Sequence, residues 1–548
     1  MKRKSLAFIL AALLLLSASC SAMNMSKSDL GQNSTAPQGN PSSNMYSPSY
    51  ASSSPSSAGA PYLSDASYPM GMTTGSDEWR YAPLDDTEEY LTASESPFKD
   101  VLTSPLSTFS ADVDTASYSN MRRFLSQRVV PQGIRIEELV NYFSYDYPTP
   151  DNEHPFSISS EISTCPWEPS HLLAMIGIQG ARLENTKEIA NNVVFLLDVS
   201  GSMDEPNKLP LLIESMKLMF GKLGSNDIVS IVTYAGSDKI IADSVPGSKN
   251  DDLTRLVDQL KAGGSTGGAN GIRSAYELAG KNFIEGGNNR IILATDGDFN
   301  VGESSVDALV KLIESERDKG IFISVLGFGM GNLKDNMMKS IASNGNGNYA
   351  YIDTLQEAKK VLVDEFDSTM FTIAKDVKLQ VEFNPETVSA YRLIGYDTRR
   401  LENEDFNDDQ KDAGDIGSGH SVTAFYELIP AGEVDEDLVD PLKYSQNITT
   451  GSSDLYTVKI RYKAPDGDVS MLTDLVVGPE ALGNAESSNF LFASAVAEFG
   501  LILTDSDYRA SASLSSVTSR ADSGLGDDIY GLRSEFLELV NLYRQIID

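Results

Sequence analysis

The chain has 548 residues, enough for several domains, and its 41% apolar content is ordinary for globular proteins. Its 78 acidic side chains outnumber the 43 basic ones, so the formal net charge at neutral pH is −35. This balance argues against nucleic acid as a partner, because the phosphate backbone attracts positively charged surfaces, and it favours a self-repelling surface that attracts cations.

The N-terminus resembles a secretory signal. Three basic residues at positions 2–4 precede an apolar core at 6–16, which is too short to span a bilayer comfortably. Residues 17–19 and Cys20 resemble a bacterial lipobox, which implies cleavage before Cys20 and acylation of its thiol. The acyl chains would anchor the protein in a membrane. Ser21 resembles a signal for outer-membrane sorting. An ordinary signal peptide with an incidental cysteine is the alternative.

A long polar segment follows the signal. Residues 20–95 are rich in Ser, Pro, Gly, Ala and Tyr, and no charged side chain occurs between Leu30 and Ser64. Such a composition cannot bury enough apolar surface to order itself, so we predict a disordered tether. Cys165 is the only other cysteine besides Cys20, which excludes a disulfide within the mature chain and predicts a small packed side chain.

Order is predicted to begin near Ser96. An amphipathic helical pattern follows Thr115, and either Asp114 or Thr115 is predicted to cap that helix. A second short helix is predicted over 136–143. Asp112 and Asp114 could also be interpreted as a cation site, but an isolated pair of aspartates is weak evidence and capping is the preferred interpretation.

Alternating apolar and polar residues indicate strands on both sides of the central region. The alternation occurs in 155–180 and returns in 377–383 and 456–462. We predict one antiparallel sandwich that is assembled from both flanks, with the central domain inserted between them. Two independent small β units are the alternative.

Strands and helices alternate through 190–370. The predicted strands are 193–198, 228–234, 239–245, 290–296, 321–328 and 348–352. The predicted helices lie near 209–223, 251–262, 269–283, 304–319, 333–343 and 355–370. Several strands are continuous apolar runs, which indicates burial on both faces. The region is therefore predicted to be an α/β domain with a doubly wound, mostly parallel sheet, in which ligands bind beyond the carboxyl ends of the strands.

The tail from about residue 485 is predicted to be helical. Its last helix carries an apolar stripe with steps of three and four residues. The stripe consists of Leu532, Phe536, Leu539, Tyr543 and Ile546. We expect it to pack on the preceding domains, with a partner-binding helix as the alternative.

Side chains that suit a cation recur at the ends of the predicted strands. Asp198, Ser200 and Ser202 directly follow the first strand of the α/β region. The glycine-rich stretch 263–268 precedes a helix, and Asp296 ends a later strand. In a doubly wound sheet these three segments would meet at one edge. Carboxylate and hydroxyl oxygens are hard ligands that suit Mg²⁺.

Together these segments resemble the metal-ion-dependent adhesion site of von Willebrand factor type A (VWA) domains. The resemblance implies that Ser200, Ser202 and Thr266 supply hydroxyl oxygens, directly or through water. It implies that Asp198 and Asp296 are the two carboxylates, with at least one acting through water. The expected ion is Mg²⁺, with Mn²⁺ or Ca²⁺ as alternatives. An Asp or Glu of a protein partner would complete its coordination.

The flanks resemble regions found with this domain in bacterial envelope lipoproteins. These regions are 110–125 and 499–542, and such proteins are often labelled calcium-activated chloride channel homologues. The label implies little here, because no further stretch of the chain approaches the length and apolarity of a membrane span. The His-Glu-x-x-His zinc motif carried by some eukaryotic relatives is also missing from the sequence.

Sequence motifs of enzymes are missing as well. The sequence contains neither a Gly-x-Ser-x-Gly elbow nor a Gly-x-x-x-x-Gly-Lys-Ser/Thr phosphate loop. His154, His171 and His420 show no ligand spacing, so satisfied or exposed imidazoles are expected. We therefore predict a protein that is not an enzyme and has no catalytic residue and no small-molecule substrate.

The combined prediction is a lipid-anchored protein of the bacterial cell envelope, placed in the outer membrane, that recognises a protein partner through the ion. A structural scaffold subunit of an envelope complex is the alternative, and a hydrolase that uses the same ion is a third hypothesis. The predicted divisions are a signal peptide (1–19), a tether (20–95), an N-terminal VWA-associated region (96–187), the VWA domain (188–371), a β-sandwich (372–480) and a helical C-terminal region (481–548).

Overall fold

The computed structural model describes residues 88–90, 94–111, 114–150, 153–184, 186–265, 268–297, 306–331, 333–432, 450–465 and 467–548. All of them belong to one compact unit, Gly75–Asp548, and a second unit, Met1–Thr74, falls wholly outside the described residues. The predicted signal segment with Cys20, together with Asp112 and Thr266, also lies outside them.

Strands and helices in the described residues alternate in blocks along the chain. The strands are β1 (Lys99–Asp100), β2 (Leu106–Ser110), β3 (Phe156–Thr164), β4 (Leu172–Gly180), β5 (Asn191–Asp198), β6 (Ile228–Ala235), β7 (Ser237–Pro246), β8 (Asn288–Thr295), β9 (Ile321–Phe328), β10 (Tyr349–Ile352), β11 (Thr372–Phe383), β12 (Val388–Ile394), β13 (Gly414–Gly417), β14 (Ser421–Pro430), β15 (Tyr456–Lys463) and β16 (Ser470–Val477). The helices are α1 (Ala116–Ser126), α2 (Ile136–Val140), α3 (Leu209–Phe220), α4 (Asn250–Val257), α5 (Gly268–Lys281), α6 (Val306–Arg317), α7 (Asp335–Asn344), α8 (Leu355–Lys359), α9 (Phe366–Met370), α10 (Ser488–Leu503), α11 (Leu514–Ser523) and α12 (Leu532–Ile547).

The central sheet confirms the predicted doubly wound domain. Its strand order is β10-β9-β8-β5-β6-β7, and every pair is parallel except β6 with β7. Helices α3, α4 and α8 cover one face, and α5, α6 and α7 cover the other. Every residue of β5 is buried, as its continuous apolar run predicts for a central parallel strand.

The remaining strands form one antiparallel sandwich, so the alternative of two independent β units is wrong. One sheet has the order β1-β12-β14-β4-β3, and the other has the order β13-β11-β15-β16 with β2 also paired to β11. Both sheets combine strands from before and after the central domain. Alternate residues such as Ile176, Leu379 and Val458 meet in the core between the two sheets. The central domain is therefore inserted into the sandwich, as predicted.

Helices cover the outer face of the first sandwich sheet. Leu173 and Met175 of β4 point away from the sandwich core and join a second core with helices α1, α2, α10, α11 and α12. Phe536 and Val540 of α12 are fully buried there, and Tyr543 is nearly so. This burial confirms that the apolar stripe of the tail packs within the chain. The second helix of the N-terminal flank, α2, also contributes to this core, and it ends at Val140, before the predicted end at 143.

The prediction that the side chain of Asp114 or Thr115 caps α1 is wrong. Thr115 occupies the position before the helix, but its side chain makes no capping hydrogen bond. Asp114 instead accepts a bond from the backbone of Tyr349 at 3.0 Å and pairs with Arg399 Nη2 at 2.9 Å. Its carboxylate is used for contacts between the central domain and the sandwich, which a local sequence pattern does not reveal.

The last residues of the predicted tether are attached to the folded unit. Glu88 accepts a hydrogen bond from Arg123 Nη1 at 2.7 Å, and Glu89 forms a β-bridge with Lys334. The predicted end of the tether at residue 95 lies beyond these attachments. Composition alone could not show them, because their partners are distant in the sequence.

Buried ion pairs connect the central domain to its flanks. Arg135, before α2, donates to Asp335 Oδ2 of α7 at 2.8 Å and to Glu138 Oε2 at 2.9 Å. Lys339 of α7 donates to Glu138 Oε1 at 2.7 Å. Each of these side chains is at most 10% exposed. Breaking such pairs is costly, so they hold α7 in one position against the flank.

Candidate functional site

Backbone hydrogen bonds bring two of the predicted site segments together at the end of β5. The Val199 amide donates to the Tyr234 carbonyl at 3.1 Å, and the Gly201 amide donates to the Gly264 carbonyl at 3.0 Å. The Gly263 amide donates back to the Val199 carbonyl at 2.9 Å. The loop after β5 is therefore held against the glycine-rich stretch before α5.

Glycine is required at position 264, because the backbone there passes close to the end of β6. Gly264 has a φ of +88°, and a Cβ at that position would lie 3.1 Å from the Ala235 carbonyl oxygen. A side chain would be strained in conformation and crowded at the same time. Thr266, the predicted ligand in this stretch, lies outside the described residues, so its place in the site stays a prediction.

Asp198 is completely buried and held by three donors. Its Oδ1 accepts the Ser200 amide at 2.9 Å, and its Oδ2 accepts the Tyr234 hydroxyl at 3.1 Å and the Thr295 hydroxyl at 3.2 Å. Burial raises the pKa of Asp198 to about 6, an effect that the bonds from Ser200 oppose and the nearby charge of Asp296 reinforces. The aspartate is thus fixed in orientation at a place where a bound cation would favour its ionised form.

The two predicted serine ligands adopt a spacing that suits an octahedral ion. The hydroxyl oxygens of Ser200 and Ser202 lie 2.9 Å apart and share a hydrogen bond. Two oxygens at adjacent corners of an octahedron, each about 2.0–2.1 Å from Mg²⁺, are separated by about 2.9 Å. Both serines belong to the turn that directly follows Asp198, so the hydroxyls and the carboxylate share one side of the sheet edge.

Asp296 completes the part of the site that the structure describes, and it has a partner that the sequence did not indicate. It directly follows β8, which is the parallel neighbour of β5, and it is completely buried. Lys208 donates from Nζ to Asp296 Oδ2 at 3.0 Å. The lysine immediately precedes α3, and its side chain is only 7% exposed.

The structure therefore brings together Asp198, Ser200, Ser202 and Asp296. Sequence reasoning missed Lys208 and the role of the Tyr234 hydroxyl. Tyr234 lies near the end of an apolar strand, β6, where an aromatic residue is more often part of the core. Lys208 lies in a polar loop, where a lysine is more often solvated. Neither residue could be assigned to the site without the tertiary contacts.

The predicted ligand set contains three hydroxyl groups and two carboxylates. Among the described residues, no cluster of three or more His, Cys, Asp or Glu side chains is arranged to hold a metal. A VWA-type site would not form such a cluster, since only Asp198 and Asp296 supply carboxylates. The first two histidines have hydrogen-bond partners, because His154 contacts the Tyr462 hydroxyl at 2.8 Å and His171 contacts Glu427 Oε1 at 2.6 Å.

The predicted membrane attachment bears on whether any described helix could itself cross a membrane. In the part of the chain that the structure describes, none of the helices has both the length and the apolarity needed to cross a bilayer.

Cys165 is fully buried and forms no disulfide, which confirms the prediction of a packed thiol.

Comparison with protein families agrees with this fold. Residues 192–364 match the von Willebrand factor type A domain, residues 84–175 match the family described as von Willebrand factor, and residues 368–546 match "Uncharacterized protein YfbK, C-terminal". The chain is thus a VWA-domain protein. Domains of this class generally mediate protein–protein interaction and typically bind a divalent metal at the adhesion site.

A more specific assignment follows from one relative. The chain is 41% identical over 475 residues to "Uncharacterized protein YfbK" of Escherichia coli (strain K12), which covers 84% of this chain and 82% of that protein. The chain therefore belongs to the YfbK family, and it combines a VWA domain with the C-terminal region that is named after that protein.

More distant similarities cover smaller parts or show lower identity. The inter-alpha-trypsin inhibitor heavy chain H2 of Mus musculus is 26% identical over 189 residues, which is 32% of this chain and 20% of that protein. The solved structure of a von Willebrand factor type A protein from Catenulispora acidiphila covers 71% of this chain and 91% of its own, with 14% identity and a TM-score of 0.40.

Proposed function

We propose that the chain recognises a protein partner through a divalent cation, Mg²⁺, at the edge of the central sheet. The observation that carries the proposal is the convergence of the Ser200 and Ser202 hydroxyls, 2.9 Å apart, beside two completely buried aspartates. This donor set fits the ion in its chemistry, and the hydrogen-bonded hydroxyls are close enough to bind one ion together.

Each residue of the proposed site has a distinct role. Ser200 and Ser202 would hold the ion without reducing its charge, because their hydroxyls are neutral. Asp198 would face it in a fixed orientation, since Tyr234 and Thr295 donate to one of its oxygens. Asp296 and Thr266 would complete the set. When bound, the ion would supply a Lewis-acidic position that a carboxylate oxygen from outside the chain can occupy.

The partner is proposed to present an Asp or Glu side chain. A carboxylate is a hard, anionic ligand that suits the remaining position of such an ion. The strongly acidic composition of this chain argues against nucleic acid. A binding role is also more consistent with the described residues than catalysis. The side chains nearest the two aspartates are engaged in holding them, so we propose no general base and no small-molecule substrate.

The site is proposed to act at the bacterial envelope. Cys20 and the residues before it resemble a lipoprotein signal, and lipidation there would place the protein on a membrane, with the outer membrane as the proposed location. Labelled palmitate should be incorporated into the wild-type chain and not into Cys20→Ser. Incorporation into both, or into neither, would contradict the proposed anchor.

The central test is capture of the partner from an envelope extract. Wild-type protein should retain its partner in Mg²⁺ and lose it on addition of EDTA. Asp198→Ala should lose the partner even in Mg²⁺, because the variant removes a carboxylate that would face the ion. Circular dichroism establishes that the variant is folded, since Ser200, Tyr234 and Thr295 lose their acceptor. Asp251→Ala is the matched control, since Asp251 is an exposed aspartate on α4.

The result can also favour the scaffold alternative. If the chain were a passive scaffold that grips an envelope complex, Asp198→Ala and EDTA would both leave the captured proteins unchanged. Recovery of the same partner under all conditions would therefore refute a metal-dependent interaction.

A further inference from the structure

A buried lysine lies directly beside the proposed cation site. Lys208 Nζ is 3.0 Å from Asp296 Oδ2, with the lysine side chain 7% exposed and the aspartate side chain completely buried. A buried ammonium group is unusual unless it is paired, because its desolvation is costly. The pair is therefore a built feature of the site edge and not a solvated surface contact.

The surrounding fold makes room for this lysine. Gly329 follows β9 with a φ of +76°, and a Cβ on it would collide with Lys208 Cγ and Cε. The Tyr351 hydroxyl donates to the Gly329 carbonyl at 2.5 Å and fixes that turn. The lysine stem is thus placed by a turn that is distant in the sequence, and its ammonium group is directed to Asp296.

We propose that Lys208 is a specificity-determining residue that makes the ion-loaded site more positive by one charge and so favours an anionic group on the partner. The inference rests on the proposed function. The two aspartates, Asp198 and Asp296, together balance the charge of a divalent ion. The ammonium group of Lys208 adds one positive charge beside them, which favours the approach of a partner carboxylate.

The same charge has opposite effects on the two ligands of the site. The ammonium repels the cation and neutralises one of the carboxylates that attract it, so Lys208 weakens binding of the ion. It attracts the carboxylate that binds afterwards, so it strengthens binding of the partner. A lysine with only a structural role would not separate these effects, because loosening the site would weaken both.

The first experiment measures Mg²⁺ affinity by calorimetry on the purified full-length chain. Lys208→Met keeps most of the stem volume and removes the charge, and we expect it to bind Mg²⁺ at least about tenfold more tightly than wild type. Lys222→Met is the matched control, since it removes the charge of an exposed lysine and should bind Mg²⁺ as wild type does. Circular dichroism establishes that each variant is folded, and Lys208→Gln replaces Lys208→Met if the latter is not.

The second experiment uses acetate as a minimal carboxylate. With Mn²⁺ loaded in place of Mg²⁺, bound acetate is detected through the relaxation of its methyl protons. Wild type and Lys222→Met should bind acetate alike, and Lys208→Met should bind it at least about tenfold more weakly despite holding the ion more tightly. Acetamide, which is neutral, should show no dependence on Lys208.

The outcomes separate the two proposals. Mg²⁺ uptake by the wild type together with unchanged or weaker uptake by Lys208→Met overturns the role of Lys208 and leaves the metal site standing. Unchanged acetate binding by Lys208→Met also overturns it. Failure of the wild type to bind Mg²⁺ overturns both the proposed function and this inference.

Discussion

Arg122 is the residue whose loss should most clearly weaken the attachment of the VWA domain to its flanks. It lies on α1, and its guanidinium donates to Asp353 Oδ2 at 2.8 Å, to Glu357 Oε2 at 2.7 Å and to Glu535 Oε2 at 3.1 Å. These acceptors lie after β10, on α8 and on α12. One cation therefore joins the central domain, the N-terminal flank and the C-terminal helices.

The expected cost of Arg122→Met follows from burial. The side chains of Arg122, Asp353 and Glu357 are at most 8% exposed, so the variant leaves buried carboxylates without their shared cation. Breaking one buried pair typically costs about 3–5 kcal/mol. Glu535 is 25% exposed and adds less, because solvent screens it. We expect the free energy of unfolding to fall by about 3–5 kcal/mol.

The cost should depend on pH with a definite sign. Burial raises the pKa of Asp353 and of Glu535 above their ordinary values, and Arg122 opposes that rise. A carboxyl group with a raised pKa in the folded state stabilises the fold at low pH, and this contribution is lost as the pH rises through that pKa. Removing Arg122 raises both pKa values further. The deficit of the variant should therefore be largest at neutral pH and shrink as the pH falls.

Urea denaturation of wild type and Arg122→Met at a series of pH values measures this difference. Arg255→Met is the control, because Arg255 forms an exposed pair with Asp252 at 2.8 Å and its loss should cost at most about 1 kcal/mol at any pH. A deficit of Arg122→Met that stays constant with pH would refute the electrostatic reasoning and indicate a loss of packing alone.

Three further predictions follow from other parts of the molecule. Gly329→Ala should lower the free energy of unfolding, measured in urea, by about 1–3 kcal/mol. Alanine is strained at positive φ, and its Cβ would collide with Lys208. An unchanged free energy of unfolding would contradict this close approach. Phe536→Ala should cost about 3–5 kcal/mol in the same assay, since the ring is fully buried between helices, and retained stability would contradict that burial. The Cys165 thiol should react with a maleimide only after unfolding, because burial removes access and raises its pKa; rapid labelling of the native chain would be the contrary result.

The fold was predictable wherever the pattern of apolar residues was strong. The run 193–197 indicated a strand buried on both faces, and β5 is fully buried at the centre of its sheet. The alternation in 456–462 indicated a strand with one buried face, and β15 alternates in that way. These patterns succeed because the faces that a strand buries are set by its own residues and by the layers around it.

Local rules failed where a side chain serves a distant contact. Asp114 stands at the expected capping position of α1, yet it pairs with Arg399 from the sandwich. Capping contributes about 1 kcal/mol, and a buried charge without a partner costs more than that. Asp114 is therefore held by these distant contacts, which include the Tyr349 amide, and not by a capping bond. Its partner lies 285 residues away in the chain, where no local pattern points to it.

The candidate site also contains residues that could be predicted from the sequence and one that could not. Asp198, Ser200 and Ser202 could be predicted because the ligands of a strand-end loop are close in sequence and share one turn. Lys208 could not, because its position depends on a glycine turn after another strand. Since the proposed ligands are common to VWA-type sites in general, they cannot by themselves distinguish one partner from another. Partner choice must then depend on groups such as Lys208, which adjust the charge around those shared ligands. The tertiary contacts that a motif omits are therefore the ones in which specificity should be sought.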